Sequence, residues 1–319
     1  MQKFFTSTYY SQKRVGITTD KKALLALGWV SFFWGTTWLA AKEGVSKMPA
    51  LQMAGIRQCI AGGLFLVFFM AKKHPLPKGK QWLSILILSI LNFMLSNGLS
   101  TWGIKYISSG LASIISAIFP LWLVIITTLR GRSLPPKAML GLLLGFGGVC
   151  IIFYEHLKDL LNPDFRFGLL LSLVATVSWA FGTLYTKQQA VNFNPYYSLA
   201  FQMLISGITL LLITHATGNE IKITAIPASS WWAMSYLVLI GSVFTFVAYV
   251  YSLQHLSAAL ASVYAYINPI VAVLLGALLL NERLSLLIAI GGIITISGVY
   301  LVNISFKKKI ILNVSESEI

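Results

Sequence analysis

The chain has 319 residues, of which 57% are hydrophobic and only 10% charged, and its mean hydropathy is +0.78. This composition excludes a water-soluble domain of this size and predicts a chain that lies mostly in lipid. The net charge of +15 does not indicate nucleic-acid binding, because the basic residues lie in short clusters between apolar stretches, as in membrane loops. Cys59 and Cys150 lie within apolar segments, so we expect buried thiols rather than a disulfide or a metal pair.

Apolar runs near the roughly 20 residues needed to cross the hydrocarbon core recur along the chain. Ten of them are predicted to be membrane helices, at 23–42, 50–71, 81–103, 108–129, 137–154, 166–187, 197–216, 231–252, 258–280 and 285–304. The first run is a full-length span rather than a short apolar core with a cleavage site. It is therefore expected to remain as a helix and not to be a signal peptide.

The basic residues predict the orientation of these helices. With the N-terminus placed in the cytoplasm, sixteen of the 24 Lys and Arg fall inside, seven fall outside, and Arg57 lies within a span. Cytoplasmic loops of membrane proteins are enriched in Lys and Arg. We therefore expect a multi-pass protein of the cell inner (plasma) membrane, with cytoplasmic tails at 1–22 and 305–319.

The two halves of the chain repeat each other. Segment 109–120 returns as 258–269, and six of the sixteen positions aligned from 105/254 to 120/269 are identical, with Pro120 and Pro269 in register. The repeats cover 23–154 and 166–304. Since five spans is an odd number, the second copy enters the membrane from the opposite side. The sequence thus predicts an all-α integral membrane protein with ten transmembrane helices, arranged as two inverted five-helix repeats, which is an architecture of transporters.

Several short motifs resemble those of a known family. They are Trp34-Gly-Thr-Thr-Trp-Leu-Ala-Ala-Lys42, Arg57, the run ending at Pro120, its copy ending at Pro269, Asn281-Glu282 and the glycines of the tenth span. Over about residues 23–304 the chain resembles the EamA-type branch of the drug/metabolite transporter superfamily. The resemblance implies export of small metabolites from the cytoplasm, of the class of amino acids or related amphiphiles. The chain departs from the pattern at Arg132, which occupies the place matching Glu282.

A substrate site is predicted from polar and aromatic residues in the middle of spans. Ser109, Ser113, Ser116 and Pro120 are spaced by 4, 3 and 4 residues, which places them on one face of a helix. Aromatic walls with a few hydroxyl and amide groups suit a cavity for amphiphilic metabolites. The predicted substrate-binding residues are Trp34, Trp38, Arg57, Asn92, Ser113, Ser116, Trp179, Tyr185, Tyr249, Ser262, Tyr264 and Asn268.

Other roles remain open for the same residue types. Small residues let membrane helices pack closely, serines bond their own backbone, and Trp and Tyr anchor helices at the membrane interface. Glycines of the fifth and tenth spans, such as Gly148 and Gly298, are expected to serve helix packing alone. Pro120 and Pro269 each remove a backbone donor from an apolar helix, and we expect them to act as hinges.

Arg57 is the one charge placed well inside a predicted span, where the cost at the helix centre is about 2.5–3.5 kcal/mol. One interpretation is that it holds a substrate carboxylate, with neutral Gln202 at the matching position of the second repeat. The other is structural: Arg57 extends toward the helix end or caps carbonyl groups of a neighbouring helix. The sequence leaves both interpretations open.

All Asp and Glu residues lie at span ends or beyond them. The sequence therefore offers no carboxylate relay in the membrane, no metal-ligand cluster and no nucleophile with a partnered base. We expect no catalytic residue, no metal, no cofactor and no enzymatic activity, with a small-molecule substrate and membrane lipid as partners. Proton coupling and oligomeric state stay open. The alternatives are a carrier of phosphorylated or nucleotide sugars, which needs more than one cation, and a non-transporting scaffold, which needs no polar cavity.

Overall fold

The computed structural model describes residues 21–129, 135–155, 158–189, 193–256, 261, 264–282 and 285–315. Within these ranges every regular element is a helix. The main helices are α1 (Lys21–Ser46), α2 (Ala50–Ala71), α3 (Lys80–Gly103), α4 (109–129), α5 (Pro136–Glu155), α6 (Pro163–Gln189), α7 (Pro195–Ala216), α8 (Ala228–His255), α9 (Tyr264–Leu279) and α10 (Leu286–Ser315). Single 3-10 turns, Asp159–Leu161 and Ile223–Ala225, precede α6 and α8.

The helices have the length and the surface of membrane spans. In the described part of the chain, seven of them, α1 to α4 and α6 to α8, are long and apolar enough to cross a membrane, and α5, α9 and α10 contain shorter apolar stretches. Large apolar side chains such as Leu83 and Leu143 are more than half exposed on the outside of the bundle, where lipid accepts them. Cys150 is also exposed, so the expectation of two buried thiols is wrong for this residue. The chain is an all-helical membrane protein.

Local sequence signals set several helix starts. Helices α5, α6 and α7 begin at Pro136, Pro163 and Pro195, because the first helical position needs no backbone donor and proline has the right φ. Asn194 caps α7, and its side-chain oxygen accepts a hydrogen bond from the Tyr196 backbone N–H at 3.0 Å. The prolines thus define where the connections end.

The last helix is longer than predicted. The sequence analysis ended the tenth span at 304, whereas α10 continues to Ser315. No glycine or proline follows Gly298 in this stretch, so nothing in the sequence terminates the helix. Most of the segment predicted as a C-terminal tail therefore extends α10.

The two halves pack through equivalent helices. The most extensive contacts pair α5 with α10 and α2 with α7, and α4 also packs on α9. The contact of α1 with α8 has its counterpart in the contact of α3 with α6. Each of these pairs joins one helix from the first half to one from the second. The bundle is therefore held together mainly by contacts between the halves.

Glycines allow the closest of these contacts. A Cβ at Gly298 of α10 would lie 2.6 Å from the Gly141 carbonyl oxygen of α5, and a Cβ at Gly291 would lie 2.7 Å from the Gly148 carbonyl oxygen. In α2 and α7, a Cβ at Gly207 would lie 2.9 Å from the Gly55 carbonyl oxygen. Small residues let membrane helices approach to backbone contact. The predicted packing role of the glycines in the fifth and tenth spans is confirmed.

Helices α3 and α8 share an unusual local structure. Each begins with nine α-helical residues, Lys80–Leu88 and Ala228–Tyr236, and then widens into a π-helical segment, Ser89–Gly98 and Leu237–Phe244. Long π segments are rare, and π-helical turns are frequent at functional sites because they redirect side chains. Asn92, Ser96 and Asn97 of the α3 segment line the cavities described below. Gly241 and Ser242 of the α8 segment accept hydrogen bonds from residues of the cavity walls.

The two repeated prolines affect their helices differently. Helix α4 is interrupted at Ile118, between Ser109–Ala117 and Phe119–Leu129, so that Pro120 is the second residue of the second part. The chain continues through a tight turn in which the Leu121 N–H donates to the Ile118 carbonyl at 2.9 Å. Helix α9 instead runs through Pro269 without a break. A hinge role for either proline stays a prediction.

Candidate functional site

Five aromatic rings meet where helices of both halves converge. They are Trp34 of α1, Trp179 of α6, Phe246 and Tyr249 of α8, and Tyr264 of α9. The Trp34 ring contacts the other four at centroid distances of 4.9 to 5.8 Å, in tilted and edge-to-face orientations. We call these five residues the aromatic cluster. Edge-to-face pairs stabilise a fixed arrangement beyond the burial of their surface.

Hydrogen bonds hold the polar ends of these rings. The Trp34 Nε1–H donates to the Gly241 carbonyl oxygen at 3.2 Å, and the Trp179 Nε1–H donates to the Tyr264 hydroxyl at 3.0 Å. Gly241 lies in the π-helical segment of α8. The cluster is therefore fixed both by ring contacts and by hydrogen bonds that cross between helices.

A cavity lies on each side of the aromatic cluster. We call the end of the bundle where α1 begins the proximal end, and the end where α1 leads into α2 the distal end. The distal cavity has a volume of about 130 Å³ and the proximal cavity about 40 Å³. Asn92, Trp179 and Phe246 line both, so the two cavities meet at the cluster.

Both cavities are partly polar, and several helices contribute the polar groups of each. Hydroxyl, amide and guanidinium groups of α1 to α4, α6 and α9 line the distal cavity: Thr37, Arg57, Asn97, Ser100, Thr101, Ser116, Thr176 and Asn268. Hydroxyl and amide groups of α3, α6 and α7 line the proximal cavity: Gln81, Ser84, Thr183, Thr186, Ser198 and Gln202. Such walls, with aromatic surface and few polar groups, are typical of small-molecule sites.

Asn92 lies between the two cavities and lines both of them. It lies in the π-helical segment of α3 and its Nδ2 donates to Thr186 Oγ1 at 3.2 Å. Its Oδ1 is buried and has no hydrogen-bond partner among the described residues, which carries an energetic cost. Gly182 of α6 makes room for it, because a Cβ at this position would collide with Asn92 Oδ1.

Arg57 places a positive charge in the wall of the distal cavity. Its side chain is 5% exposed, and its Nε donates to Ser242 Oγ at 2.9 Å. Within the described ranges no carboxylate lies within 4.0 Å of its guanidinium. The bond to Ser242 agrees with a structural role and the position in the cavity wall agrees with a substrate contact, so both interpretations of Arg57 stay predictions.

Asn268 joins α9 to α1 beside the same cavity. With its amide oriented by its surroundings, Nδ2 donates to the Ser31 carbonyl at 2.6 Å and to the Tyr264 carbonyl at 3.2 Å. The residue is 8% exposed. Asn268 therefore bridges the two helices as well as lining the cavity.

The structure brings most of the predicted site residues together. Eight of them line the distal cavity: Trp34, Trp38, Arg57, Asn92, Ser116, Trp179, Tyr264 and Asn268. Tyr249 lines the proximal cavity. Pro120 and Pro269, the predicted hinges, line neither of these two cavities, and Ser262 lies outside the described residues. A role in substrate binding stays a prediction for each of them.

Two predicted residues contribute to neither cavity wall. Ser113 is 1% exposed and its Oγ donates to the Gly110 carbonyl of its own helix at 2.7 Å. The Tyr185 hydroxyl lies 3.5 Å from Ser84 Oγ, but Tyr185 itself is not part of the proximal wall. The spacing of 4, 3 and 4 along α4 thus did not identify which serines face a cavity, since close packing covers most of this helix.

Sequence reasoning missed part of the distal wall. Ser172 and Thr176 of α6 line this cavity together with Trp179. They are spaced by four and three residues, the pattern of one helix face, so this signal was present. The partner of Arg57 was also missed, because Ser242 comes from α8, far away in the sequence.

Charged groups connect helix ends at the distal end of the bundle. The Glu282 carboxylate accepts hydrogen bonds from Ser109 N at 2.7 Å, Ser109 Oγ at 2.8 Å and Gly110 N at 3.1 Å. It therefore binds the positively polarised start of α4. Lys42 Nζ of α1 donates to the carbonyls of Ile104 at 2.9 Å and Ile107 at 2.7 Å. We call Lys42, Ser109 and Glu282 the distal clasp, and Glu282 joins the second half of the chain to the first.

Curated relatives of the chain include proteins named as transporters. It is 34% identical over 255 residues to the uncharacterized inner membrane transporter YedA of Escherichia coli strain K12, covering 79% of this chain and 81% of YedA. It is 28% identical over 298 residues to the uncharacterized transporter YoaV of Bacillus subtilis strain 168, covering 90% and 99% of the two chains. The names indicate a transporter rather than an enzyme.

Family and fold comparisons agree with these relatives. A solved crystal structure superposes with a TM-score of 0.65 at 17% sequence identity, covering 88% of this chain and 96% of that chain, which shows a shared fold. The profile of the EamA-like transporter family matches the chain twice, at residues 21–154 and 166–304. The chain therefore belongs to the EamA-like transporter family and is a membrane transporter with a small-molecule substrate.

Proposed function

We propose that the protein exports small metabolites from the cytoplasm across the cell inner membrane by alternating access. The observation that carries this proposal is the pair of partly polar cavities at the aromatic cluster, enclosed by helices from both halves. A binding site between two halves that move against each other opens to one side of a membrane at a time. Amino acids or related amphiphiles suit a wall that combines aromatic rings with hydroxyl and amide groups.

The proposed architecture is ten spans in two inverted repeats, 23–154 and 166–304. Equivalent helices of the two halves pack on each other, and the π-helical segments of α3 and α8 begin at equivalent positions. Both observations support a two-fold relation between the halves. The axis lies in the membrane plane if each repeat has five spans.

The proposed orientation places both termini in the cytoplasm, which makes the distal end the outer end. The distal clasp then lies at the outer surface. Separating the halves at this end breaks the hydrogen bonds from Ser109 and Gly110 to Glu282. The clasp therefore stabilises the state that is closed to the outside, and Pro120 and Pro269 are proposed as the hinges of the movement.

The geometry gives less support to the other candidate functions. Phosphorylated and nucleotide sugars need more than one cation, and Arg57 is the single charged residue in the described walls of the two cavities. A scaffold needs no polar cavity, and an enzyme needs a nucleophile beside a base. We therefore keep the small-metabolite exporter as the proposal.

Efflux from liposomes tests the function. Purified protein is reconstituted into liposomes loaded with a panel of labelled metabolites, with and without a proton gradient. We expect protein-dependent efflux of at least one amphiphilic metabolite. Efflux equal to that of protein-free liposomes across the whole panel would contradict the proposal.

A pair of serine variants tests the location of the pathway. Ser116→Leu fills the distal cavity and is expected to reduce efflux, because Ser116 lines its wall. Ser113→Ala is the control, since the buried Ser113 hydroxyl donates to the Gly110 carbonyl of its own helix and its replacement leaves the cavity unchanged. Equal efflux from both variants would count against the distal cavity.

A further inference from the structure

We propose that Arg57 anchors one carboxylate group of the substrate, so that the transported molecule is a small organic monoacid with an aromatic or apolar body. The inference rests on the proposed function, because it names the substrate class of the distal cavity. It narrows that class, since it favours a monoanion over a zwitterion such as a free amino acid.

The first observation is a buried charge with an incomplete set of partners. A guanidinium carries five N–H donors in a rigid plane, and in the described part of the chain Arg57 uses Nε on Ser242. Burying an ion without compensation is costly, by several kcal/mol. A carboxylate that accepts two parallel hydrogen bonds from the remaining donors would compensate this charge.

The second observation is that the guanidinium is held in one orientation by Ser242 and that Arg57 lines the distal cavity. Ser242 accepts from Nε, and no other residue in the described part of the chain bonds the guanidinium, so the four N–H groups on Nη1 and Nη2 remain for a ligand. A Cβ at Gly241, the residue before Ser242, would lie 3.5 Å from Arg57 Nη2 and 3.0 Å from Thr37 Cγ2. The glycine therefore lets α8 pack closely on Arg57 and on Thr37 of α1, while Arg57 itself lines the distal cavity.

The third observation concerns the groups around the anchor. The described wall of the distal cavity contains Arg57 and no carboxylate, so an ammonium group would find no anionic partner there. The hydroxyl groups of Ser100, Thr101 and Ser116 line the same wall and can accept from a neutral O–H or N–H donor. Trp34, Trp38 and Trp179 supply apolar surface in this wall. The complementary molecule has a carboxylate, an apolar or aromatic body and a neutral donor.

The fourth observation is that the charge is confined to one cavity. The matching position of the second half is Gln202, which lines the proximal cavity, and its Nε2 donates to Ser198 Oγ at 2.7 Å. A neutral side chain that is bonded within its own helix does not recruit an anion. The carboxylate therefore binds on the Arg57 side of the aromatic cluster.

Three matched compounds test the anchor on the purified full-length protein in detergent. The probes are 4-hydroxybenzoate, 4-hydroxybenzamide and 4-hydroxybenzylamine, which share a ring and a hydroxyl donor but carry an anionic, a neutral and a cationic group. Dissociation constants are measured by calorimetry. We expect the wild-type protein to bind the benzoate at least about tenfold more tightly than the amide, because a charged hydrogen-bonded pair supplies this difference.

Substitutions at Arg57 locate the effect. Arg57→Gln is expected to bind the benzoate and the amide equally. Arg57→Lys is expected to keep part of the preference for the benzoate, because lysine keeps the positive charge but cannot donate two parallel hydrogen bonds to a carboxylate. Arg166→Gln is the control and is expected to keep the wild-type ratio, because Arg166 near the start of α6 is exposed and lines neither of the two cavities. Thermal unfolding checks that Arg57→Gln is folded; if it is not, the Arg57→Lys ratio decides. A wild-type protein without preference for the benzoate, or an Arg57 variant that retains the full preference, overturns the anchor.

The binding ratio and the efflux assay separate the two proposals. If the wild type prefers the benzoate through Arg57 but moves no metabolite in liposomes, the transport mechanism fails and the anchor stands. If it moves neutral metabolites and Arg57→Gln moves them equally, with no preference for the benzoate in binding, the anchor fails and the transporter stands.

Discussion

The distal and proximal cavities differ in charge although equivalent helices build them. Helix α2 brings Arg57 to the distal cavity, and its counterpart α7 brings Gln202 to the proximal one. In both cases a serine from a π-helical segment contacts the residue: Ser242 accepts from the Arg57 side chain, and Ser89 Oγ donates to the backbone carbonyl of Gln202 at 2.8 Å. The helices that build the two cavities are equivalent, but only the first half places a charged side chain, Arg57, in a described cavity wall.

This difference indicates which features the fold requires. The glycine contacts and the π-helical segments occur in both halves, because the two-sided packing depends on them. The cavity groups do not repeat, so they are free to serve the substrate. The proposed carboxylate substrate would meet the cation Arg57 on the distal side of the aromatic cluster and the neutral amide of Gln202 on the proximal side.

The largest expected effect comes from placing a charge in the proximal cavity. Gln202→Arg puts a second unpaired cation into a site of about 40 Å³, and we expect it to destabilise the protein by about 3 kcal/mol or more. Yield and melting temperature in detergent measure this. Gln202→Met is the neutral control of similar size. A Gln202→Arg protein as stable as the wild type would show that the cavities tolerate charge equally.

The next largest effect is on transport through the distal cavity. Arg57→Gln removes the buried cation, and we expect the efflux of a carboxylate substrate to fall about tenfold or more, which corresponds to a charged hydrogen bond of about 1.5–3 kcal/mol. Initial efflux rates from liposomes over a range of substrate concentrations measure it, with Ser242→Ala as a milder variant that keeps the charge. Unchanged efflux in Arg57→Gln would contradict a role for the charge.

The sequence predicted the scaffold better than the site. Periodicity and hydropathy located the helices, since lipid requires long apolar segments with satisfied backbones. The glycines of the fifth and tenth spans predicted close helix packing, but the pairing of α2 with α7 and of α5 with α10 was not predicted from the sequence. The continuation of α10 to Ser315 was missed, because hydropathy reports the lipid boundary and not the end of the helix.

Within the site, chemistry was easier to predict than contacts. Arg57 and Asn92 were identified because polar groups in lipid are costly. Their surroundings depend on helices far apart in sequence: Ser242 of α8 orients Arg57, and Gly182 of α6 admits Asn92. The helical spacing of the serines in α4, by 4 and 3 residues, did not separate Ser116, which lines a cavity, from Ser113, which does not.

A glycine variant tests the boundary between the two cavities. A Cβ at Gly182 would collide with Asn92, so Gly182→Ala is expected to destabilise the protein by about 1–3 kcal/mol through overpacking. At Gly63 of α2 nothing lies within 4 Å of an added Cβ, and Gly63→Ala is therefore the control. Melting curves compare the two. Equal stability of the variants would mean that Asn92 is not held against α6.

The smallest expected effect concerns the distal clasp. Glu282→Gln weakens three hydrogen bonds to the start of α4, and we expect a loss of about 1 kcal/mol. Glu43→Gln is the matched control, because Glu43 makes an exposed pair with Lys47 at 3.4 Å, and such pairs contribute little. Melting temperatures in detergent compare them. If Glu43→Gln destabilises the protein as much as Glu282→Gln, the clasp has no special role.

The most direct test of the charge difference is to locate a bound carboxylate. Crystals of the full-length protein soaked in 4-iodobenzoate are measured for anomalous scattering, which places the iodine independently of the protein. We predict a peak in the distal cavity near Trp34 and Trp179, with the carboxylate on Arg57, and the loss of this peak in Arg57→Gln. A peak in the proximal cavity beside Gln202, or one that persists in Arg57→Gln, would contradict the central claim.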